Sequence, residues 1–375
     1  MTVKQDITAE SRASAAARPL GTKELAGRET LAPTDEPAPS RVTLHSFRTD
    51  EGADRPELIV DRDDPGAYRI EVDVRGDGIR IGALHDRIPV TPLNRDVYEQ
   101  FCHVRELDGF RPAHSAVRFL PELSKLDVPI DLRDEEDRPV NIFSPDGRYV
   151  YQDRTFPWRT VGRIWTSSGS CTGCAIGPRL VLTASHCVNW LSGGGAGWIK
   201  FSPGFHNGNG PWGEYNATRV VYWNKAQGGL TDLETAFDYV VLVMDRPIGD
   251  HVGYTGYRTY DDDWNGDDVW QHLGYPGDLT GTQRGAFQGS SVISSVGSQG
   301  LNGQTGYVLG HFNDITPGHS GGPVWGWWGD EPWPRVVGVN SAEANTPAFT
   351  TSGDNEFGGG PGLSALITWA RSNYP

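Results

Sequence analysis

From Val150 to the C-terminus the chain runs as short apolar segments, interrupted at fairly regular intervals by Gly, Pro, Asn and Asp and almost free of helical spacing. Thr160 to Trp165, Leu180 to Thr183, Arg219 to Trp223, Val240 to Met244, Gly306 to Gly310 and Arg335 to Asn340 are of this kind. Segments this short, bounded by turn formers, read as strands of an all-β fold. Only Gly362 to Arg371 spaces its apolar residues as a helix does, which predicts a C-terminal helix resting on the strands.

Charge and tryptophan divide the chain. Residues 1 to 150 hold 21 Lys+Arg and 29 Asp+Glu, whereas residues 151 to 375 hold 12 and 19, and all 13 tryptophans lie at or after Trp158. The aromatic core therefore belongs to the second part, taken as a domain over 131–375. Residues 1–130 form a charged N-terminal region. Within it 1–40, rich in Ala, Thr, Glu and Pro, are expected to be disordered, and alternating runs such as Tyr68 to Val74 predict a few strands between Leu58 and Val90.

One serine stands among glycines at Pro317-Gly318-His319-Ser320-Gly321-Gly322-Pro323. A hydroxyl is a weak nucleophile until a base takes its proton, and the oxyanion formed by its attack needs donors already in place. The Gly318 and Ser320 amides are candidates for the second task. For the first, His186 follows the apolar run Leu180-Val181-Leu182 in Thr183-Ala184-Ser185-His186-Cys187. Asp238, ahead of the apolar Tyr239 to Met244, is the candidate carboxylate to orient that imidazole, with Asp232, Glu234 and Asp245 as neighbouring rivals set among polar residues or beyond the strand.

With His186, Asp238 and Ser320 in that order, the chain resembles the chymotrypsin-like serine endopeptidases, and within them the microbial glutamyl-endopeptidase-like branch. The resemblance is carried by Phe156 to Ile164, Cys171 to Pro178, His186-Cys187, Phe237-Asp238-Tyr239, the Gly274-Tyr275-Pro276-Gly277-Asp278 turn and the serine motif, and it spans roughly Asp134 to the C-terminus. The reverse order, Ser then Asp then His, marks the α/β-hydrolases, so that fold is disfavoured. The resemblance implies two six-stranded antiparallel β-barrels, a His-Asp-Ser triad acting through an acyl-enzyme, and no cofactor. It also implies a precursor whose N-terminal extension is removed, with Asp134 to Val140 resembling the start of the mature part. The alternative is a permanent accessory region.

The same resemblance implies a disulfide between Cys171 and Cys187, which would close a loop of about 16 residues beside His186 and contribute roughly 3 kcal/mol. Cys174 departs from the pattern, either as a buried thiol or as a partner for Cys102. A competing reading takes Cys171, Cys174, His186 and Cys187 as zinc ligands in a structural protein, which would deprive Ser320 of its base. A further alternative is a protease-like peptide-binding module without chemistry.

Substrate-binding candidates follow from the resemblance: Asp314, Ile315, Thr316, Asn340 and Ser341. Ile315 and Asn340 stand where the glutamyl branch has a threonine and a histidine, and both departures weaken a preference for acidic residues. Asp314 occupies the place of the acid that pairs with Arg or Lys in trypsin-like enzymes, although a structural role is the favoured reading. His319 replaces the Asp that in chymotrypsin and trypsin receives the new N-terminus, so activation is not expected to use that ion pair. Trp325, Trp327, Trp328 and Trp333 are read as core, with a substrate cleft as the alternative, and Asp261 to Asp268 as a solvated loop rather than a calcium site.

A net charge of −15 leaves no basic stripe for nucleic acid. No apolar run approaches the roughly 20 residues that cross a bilayer. The expected partners are peptide or protein substrates. Family resemblance implies an exported protein, yet Met1 to Leu20 carry no apolar signal-peptide core.

Overall fold

A computed structural model describes residues 18–33, 42–46, 57–60, 68–72, 87–123, 142–143, 146–226, 230–342 and 354–375. Six strands form the first barrel: β1 (Val161–Thr166), β2 (Gly169–Gly177), β3 (Leu180–Thr183), β4 (Ile199–Pro203), β5 (Tyr215–Tyr222) and β6 (Val240–Met244). They pair antiparallel in the order β4-β1-β2-β3-β6-β5, and β5 pairs back to β4, so the ring closes. Closure needs close backbone approach. A Cβ on Gly162 would lie 2.2 Å from the Ser202 carbonyl on the facing strand, which no larger residue tolerates.

The unbroken apolar runs of β3 and β6 have a simple cause. Val181, Val240, Leu242 and Met244 point into the first barrel with Ile164, Phe201 and Val220. Leu180, Leu182, Val241 and Val243 point the other way, into a cluster with Leu273, Trp325, Val336 and the C-terminal helix. Side chains alternate faces along a strand, and here both faces are buried.

The second unit contains β7 (Trp270–Gly274), β8 (Ala286–Ser291), β9 (Ile293–Leu301), β10 (Gln304–His311), β11 (Pro323–Gly326), β12 (Arg335–Ala342) and β13 (Asn355–Gly359). Their antiparallel order is β9-β10-β13-β12-β11-β7-β8. Only Val292 separates β8 from β9, so the two ends of this path are one length of chain and the sheet returns on itself as a ring of six. The β9–β10 hairpin turns at Asn302-Gly303, both with positive φ, as a two-residue loop between twisted strands requires. The helix Pro361–Asn373 starts with Pro in its first turn and buries Leu363, Leu366, Ile367 and Ala370.

The N-terminal region departs from expectation. Residues 18–33, read as part of a disordered lead-in, include the helix Thr22–Ala26 with Leu25 buried beside Val117, Phe119, Phe156 and Trp327. Val90–Pro92 adds a parallel strand to β5, and Glu106–Leu107 pairs with Gly256–Arg258, which in turn lies parallel to β12. Leu93 and Tyr98 enter the main core. These anchors are single apolar residues in polar sequence, and only the folded barrels supply their partners. Between them, Val42–Ser46, Glu57–Val60 and Tyr68–Val72 form a separate three-stranded sheet. The boundary expected near Asp134 lies outside the described residues.

Candidate active site

His186 sits in the 3-10 turn Ser185–Cys187, one residue beyond β3. The turn is fixed on three sides. Ser185 Oγ donates to the Asn224 carbonyl (2.8 Å) and accepts from the Ala226 amide (3.1 Å), Trp190 Nε1 donates to the Ser185 carbonyl (3.0 Å), and Cys187 is disulfide-bonded to Cys171. Opposite stands Asp238, fully buried at the entry to β6. Its Oδ1 accepts the His186 main-chain N–H at 2.8 Å, and its Oδ2 lies 2.6 Å from His186 Nδ1. The Ser341 hydroxyl donates to the same Oδ2 at 2.6 Å. Of the rival acids, Glu234 is spent on capping the helix Asp232–Thr235, Asp232 is exposed at that helix's start, and Asp245 pairs with Arg246.

The turn that carries Ser320 is tied to the first barrel through Thr172. The Thr172 amide on β2 donates to the Ser320 carbonyl (2.8 Å), and the Thr172 hydroxyl donates to the Gly318 carbonyl (2.7 Å). Gly321, at φ +83°, packs so tightly that a Cβ would lie 2.2 Å from Thr183 Oγ1 and 2.3 Å from the Thr172 carbonyl. Thr183 is three residues before His186, so the second barrel's serine turn is pressed onto the first barrel's histidine strand. Gly318, at φ +106°, has its own steric reason: a Cβ there would meet the Tyr275 carbonyl at 2.3 Å.

A sequence profile of the trypsin family matches residues 146–352, more than half of the chain. The chain belongs to the trypsin family. It is 34% identical over 184 residues to a glutamyl endopeptidase of Bacillus licheniformis, which covers 49% of this chain and 54% of that relative. It is 30% identical over 129 residues to an extracellular metalloprotease of Bacillus subtilis, over 32% of this chain and 40% of the relative. The chain thus spans about half or less of the length of these relatives. Among solved structures, a Glu endopeptidase in complex with MPD is 21% identical with TM-score 0.48, over 62% of this chain and 99% of the other. The protease Anisep from Arthrobacter nicotinovorans is 18% identical with TM-score 0.43, over 60% and 99%.

Around the serine of this trypsin-family chain, the substrate-binding candidates have the following places. Asp314 is buried, its Oδ1 accepting from the Phe143 amide and its Oδ2 from the Gly147 amide, each at 2.7 Å, and from Gln288 Nε2 at 3.2 Å. Burial raises its pKa, and those amide bonds oppose the rise. Ile315 is buried. Thr316 gives its hydroxyl to Asp278 Oδ1 at 2.6 Å. Asn340 is buried with Oδ1 lacking a partner among the described residues. Ser341, placed by sequence in the pocket, has its hydroxyl turned to Asp238.

His319 is buried, and its Nδ1 accepts from the Thr316 amide at 3.0 Å. Burial, helped by the Arg148 charge, pushes its pKa down to about 3, so the ring is neutral. Sequence reasoning missed Arg148 altogether, because an arginine in a charge-rich stretch carries no signal of its burial. Asp278 carries only a turn signal in the sequence.

The zinc reading is overturned. Cys171 and Cys187 are joined by an S–S bond of 2.08 Å, and His186 Nδ1 is committed to Asp238. Cys174 is a buried free thiol near Thr160 Oγ1 and Thr255 Oγ1, its pKa pushed up to about 12 by burial, and Cys102 is also free. Among the described residues the one cluster with metal-ligand geometry is the surface set Asp261, Asp262 and Asp263. Trp325, Trp327 and Trp328 are core: the first two donate to Gln271 Oε1 at 2.7 and 3.0 Å, and the third packs tilted and edge-on against Trp264 and Trp270.

Proposed function

We propose that this chain is a serine endopeptidase with Ser320 as nucleophile, His186 as general base and acid, and Asp238 as the group that orients His186. The observation that carries the reading is the doubly bonded His186–Asp238 pair. A buried carboxylate that receives both the main-chain and the ring N–H of one histidine fixes Nδ1 as the protonated nitrogen. Nε2 is then the base. It takes the Ser320 proton as Oγ attacks the scissile carbonyl, and the resulting imidazolium is stabilised by Asp238. The Gly318 and Ser320 amides receive the oxyanion. His186 then gives its proton to the leaving amine, and water repeats the sequence on the acyl-enzyme.

For the residue before the scissile bond, the name of the glutamyl relative does not transfer directly. Asn340 and Ile315 replace the residues associated with acidic recognition. Asp314 is buried and accepts from two amides and Gln288, which argues against a role as the partner of Lys or Arg. The structural role for Asp314 is therefore the reading we adopt.

The precursor reading is proposed in a modified form. Cleavage near Asp134 would leave residues 18–33 and 87–123 attached, because their strand pairings and buried anchors belong to both barrels. Intact mass and N-terminal sequencing, under native and denaturing conditions, test this: loss of that fragment from native active protein overturns it. The Cys171–Cys187 bond and the extracellular relative support a site of action outside the cell.

The deciding experiment for the activity is labelling with a fluorophosphonate, together with cleavage of a diverse peptide library. Labelling and cleavage that vanish in Ser320→Ala support the assignment. Cleavage that persists in purified Ser320→Ala overturns it, and an unlabelled, inactive wild type leaves the peptide-binding module.

A further inference from the structure

Arg148 lies in the approach to the first barrel, 172 residues before Ser320 in sequence, with its side chain 1% exposed. Its guanidinium spends every N–H it has. Nε donates to Asp146 Oδ1 (3.0 Å), one terminal nitrogen to Asp146 Oδ2 (2.8 Å) and Asp278 Oδ2 (2.7 Å), and the other to Asp278 Oδ1 (3.1 Å) and Thr316 Oγ1 (3.1 Å). Five donors in one plane meeting two carboxylates and a hydroxyl is a geometry only arginine can supply.

The bonds lead to the serine turn. Thr316, held by Arg148 and Asp278, donates its amide to His319 Nδ1 and accepts the His319 amide at 3.0 Å, and His319 adjoins Ser320. On the other arm, Asp278 stands beside Gly277, whose amide donates to the Pro317 carbonyl at 2.8 Å. Pro317 to Ser320 is thus clamped at both ends by groups that Arg148 positions. Asp314, two residues before Thr316, takes the Phe143 and Gly147 amides from the same upstream segment.

A stability role alone is a weak account. Burying a guanidinium with two carboxylates costs desolvation comparable to what the pairing returns, and an apolar cluster would fill the space as well. What an apolar cluster lacks is direction. We infer that Arg148 is a positioning residue for the nucleophile turn: through Thr316 and Asp278 it fixes the peptide between Pro317 and Ser320, and with it the two amides that face the developing oxyanion. This rests on the serine-protease reading above. It assigns to a side chain inside the uncleaved chain the work of holding the turn.

The test compares wild type, Arg148→Lys and Thr316→Val, the last removing the hydroxyl bridge while leaving the Arg148–Asp278 pair. For each, circular dichroism and thermal unfolding report the fold, and fluorophosphonate labelling rate, kcat and KM on one library-selected peptide report the site. Misplacing a reacting group by about 1 Å costs about 100-fold, so folded Arg148→Lys is expected to lose roughly 10- to 100-fold in kcat and in labelling rate, with KM changed less than about threefold. Thr316→Val should lose kcat in the same direction, and Arg148→Ala should regain part of its labelling rate in added guanidinium ion. Folded Arg148→Lys and Thr316→Val with wild-type kcat overturn the inference, as does a loss that only tracks the unfolded fraction. A wild type that takes no label overturns the protease reading and this inference together.

Discussion

Asp238 holds His186 at two points, the main-chain N–H through Oδ1 at 2.8 Å and ring Nδ1 beside Oδ2 at 2.6 Å, so backbone and imidazole are fixed by one carboxylate. Asp238→Asn replaces an acceptor by a donor at one of these points and permits the wrong tautomer. The expected loss in kcat is about 10⁴-fold with the fold kept. Ser341→Ala removes a third donor and should cost far less, on the order of tenfold, by leaving Oδ2 with one partner. Steady-state kinetics on both variants, with unfolding curves, decide it. Equal losses would mean that Ser341 does more than support the carboxylate.

Reduction or Cys171→Ser should act on the His186 loop before it acts on the barrels. The bond spans a sequence separation of 16 and ties β2 to the histidine turn. A stability loss of about 3 kcal/mol is expected. Activity followed in increasing reductant should fall while far-UV circular dichroism is unchanged. Simultaneous loss of both signals would argue that the bridge is a global staple instead.

Asp314→Asn should change stability and leave specificity alone. The carboxylate accepts from two amides and Gln288; bonds to a charged acceptor are worth roughly 1.5–3 kcal/mol each, and Asn keeps one oxygen as acceptor, so a destabilisation of about 2 kcal/mol is expected. The peptide-library profile should be unaltered. A profile that loses Lys or Arg after this substitution would restore the pocket role.

Stability should fall as pH drops below about 6.5. Burial holds the pKa values of His272 and His311 well below the ordinary range, assisted for His272 by His319, His311 and Arg148 and for His311 by His319, and His319 is pushed to about 3. Below about 6.5 the unfolded chain binds protons at these three histidines that the folded chain refuses, at about 1.4 kcal/mol per histidine per pH unit, and His206, lowered by burial and the Arg284 and Arg154 charges, acts in the same direction. Stability is therefore full above pH 6.5 and lost steadily towards pH 3. Thermal unfolding between pH 7 and pH 5 measures the slope, and His311→Phe, which keeps a ring on Phe357, should flatten it by one histidine's share, about 1.4 kcal/mol per pH unit at most. A flat profile in the wild type would contradict the buried neutral rings.

The strand pattern, the order His186, Asp238, Ser320 and the C-terminal helix were legible in the sequence because each is local. Alternation, turn residues and the glycines around Ser320 act within a few positions. Asp238 could be chosen over Asp232, Glu234 and Asp245 from its place before an apolar run, a local cue that burial against His186 agrees with. The residues that read poorly are those whose surroundings come from elsewhere. Leu25 and Tyr98 look like scattered apolar residues in a charged region until Phe156, Trp327 and the main core are beside them. Nothing around Ser341 in the sequence shows that its hydroxyl is given to Asp238, 103 positions away.

By itself, then, the sequence determined that this is an all-β chain with a serine turn, a histidine loop and an acid at a strand entry, since those features are written in short-range spacing. The tertiary structure alone decided that Asp314 is buried against two amides and Gln288, that Cys174 stays free instead of pairing with Cys102, and that Arg148 reaches the serine turn. Hydrogen-bond saturation and burial depend on which distant segments the barrels bring together, and no local pattern records them.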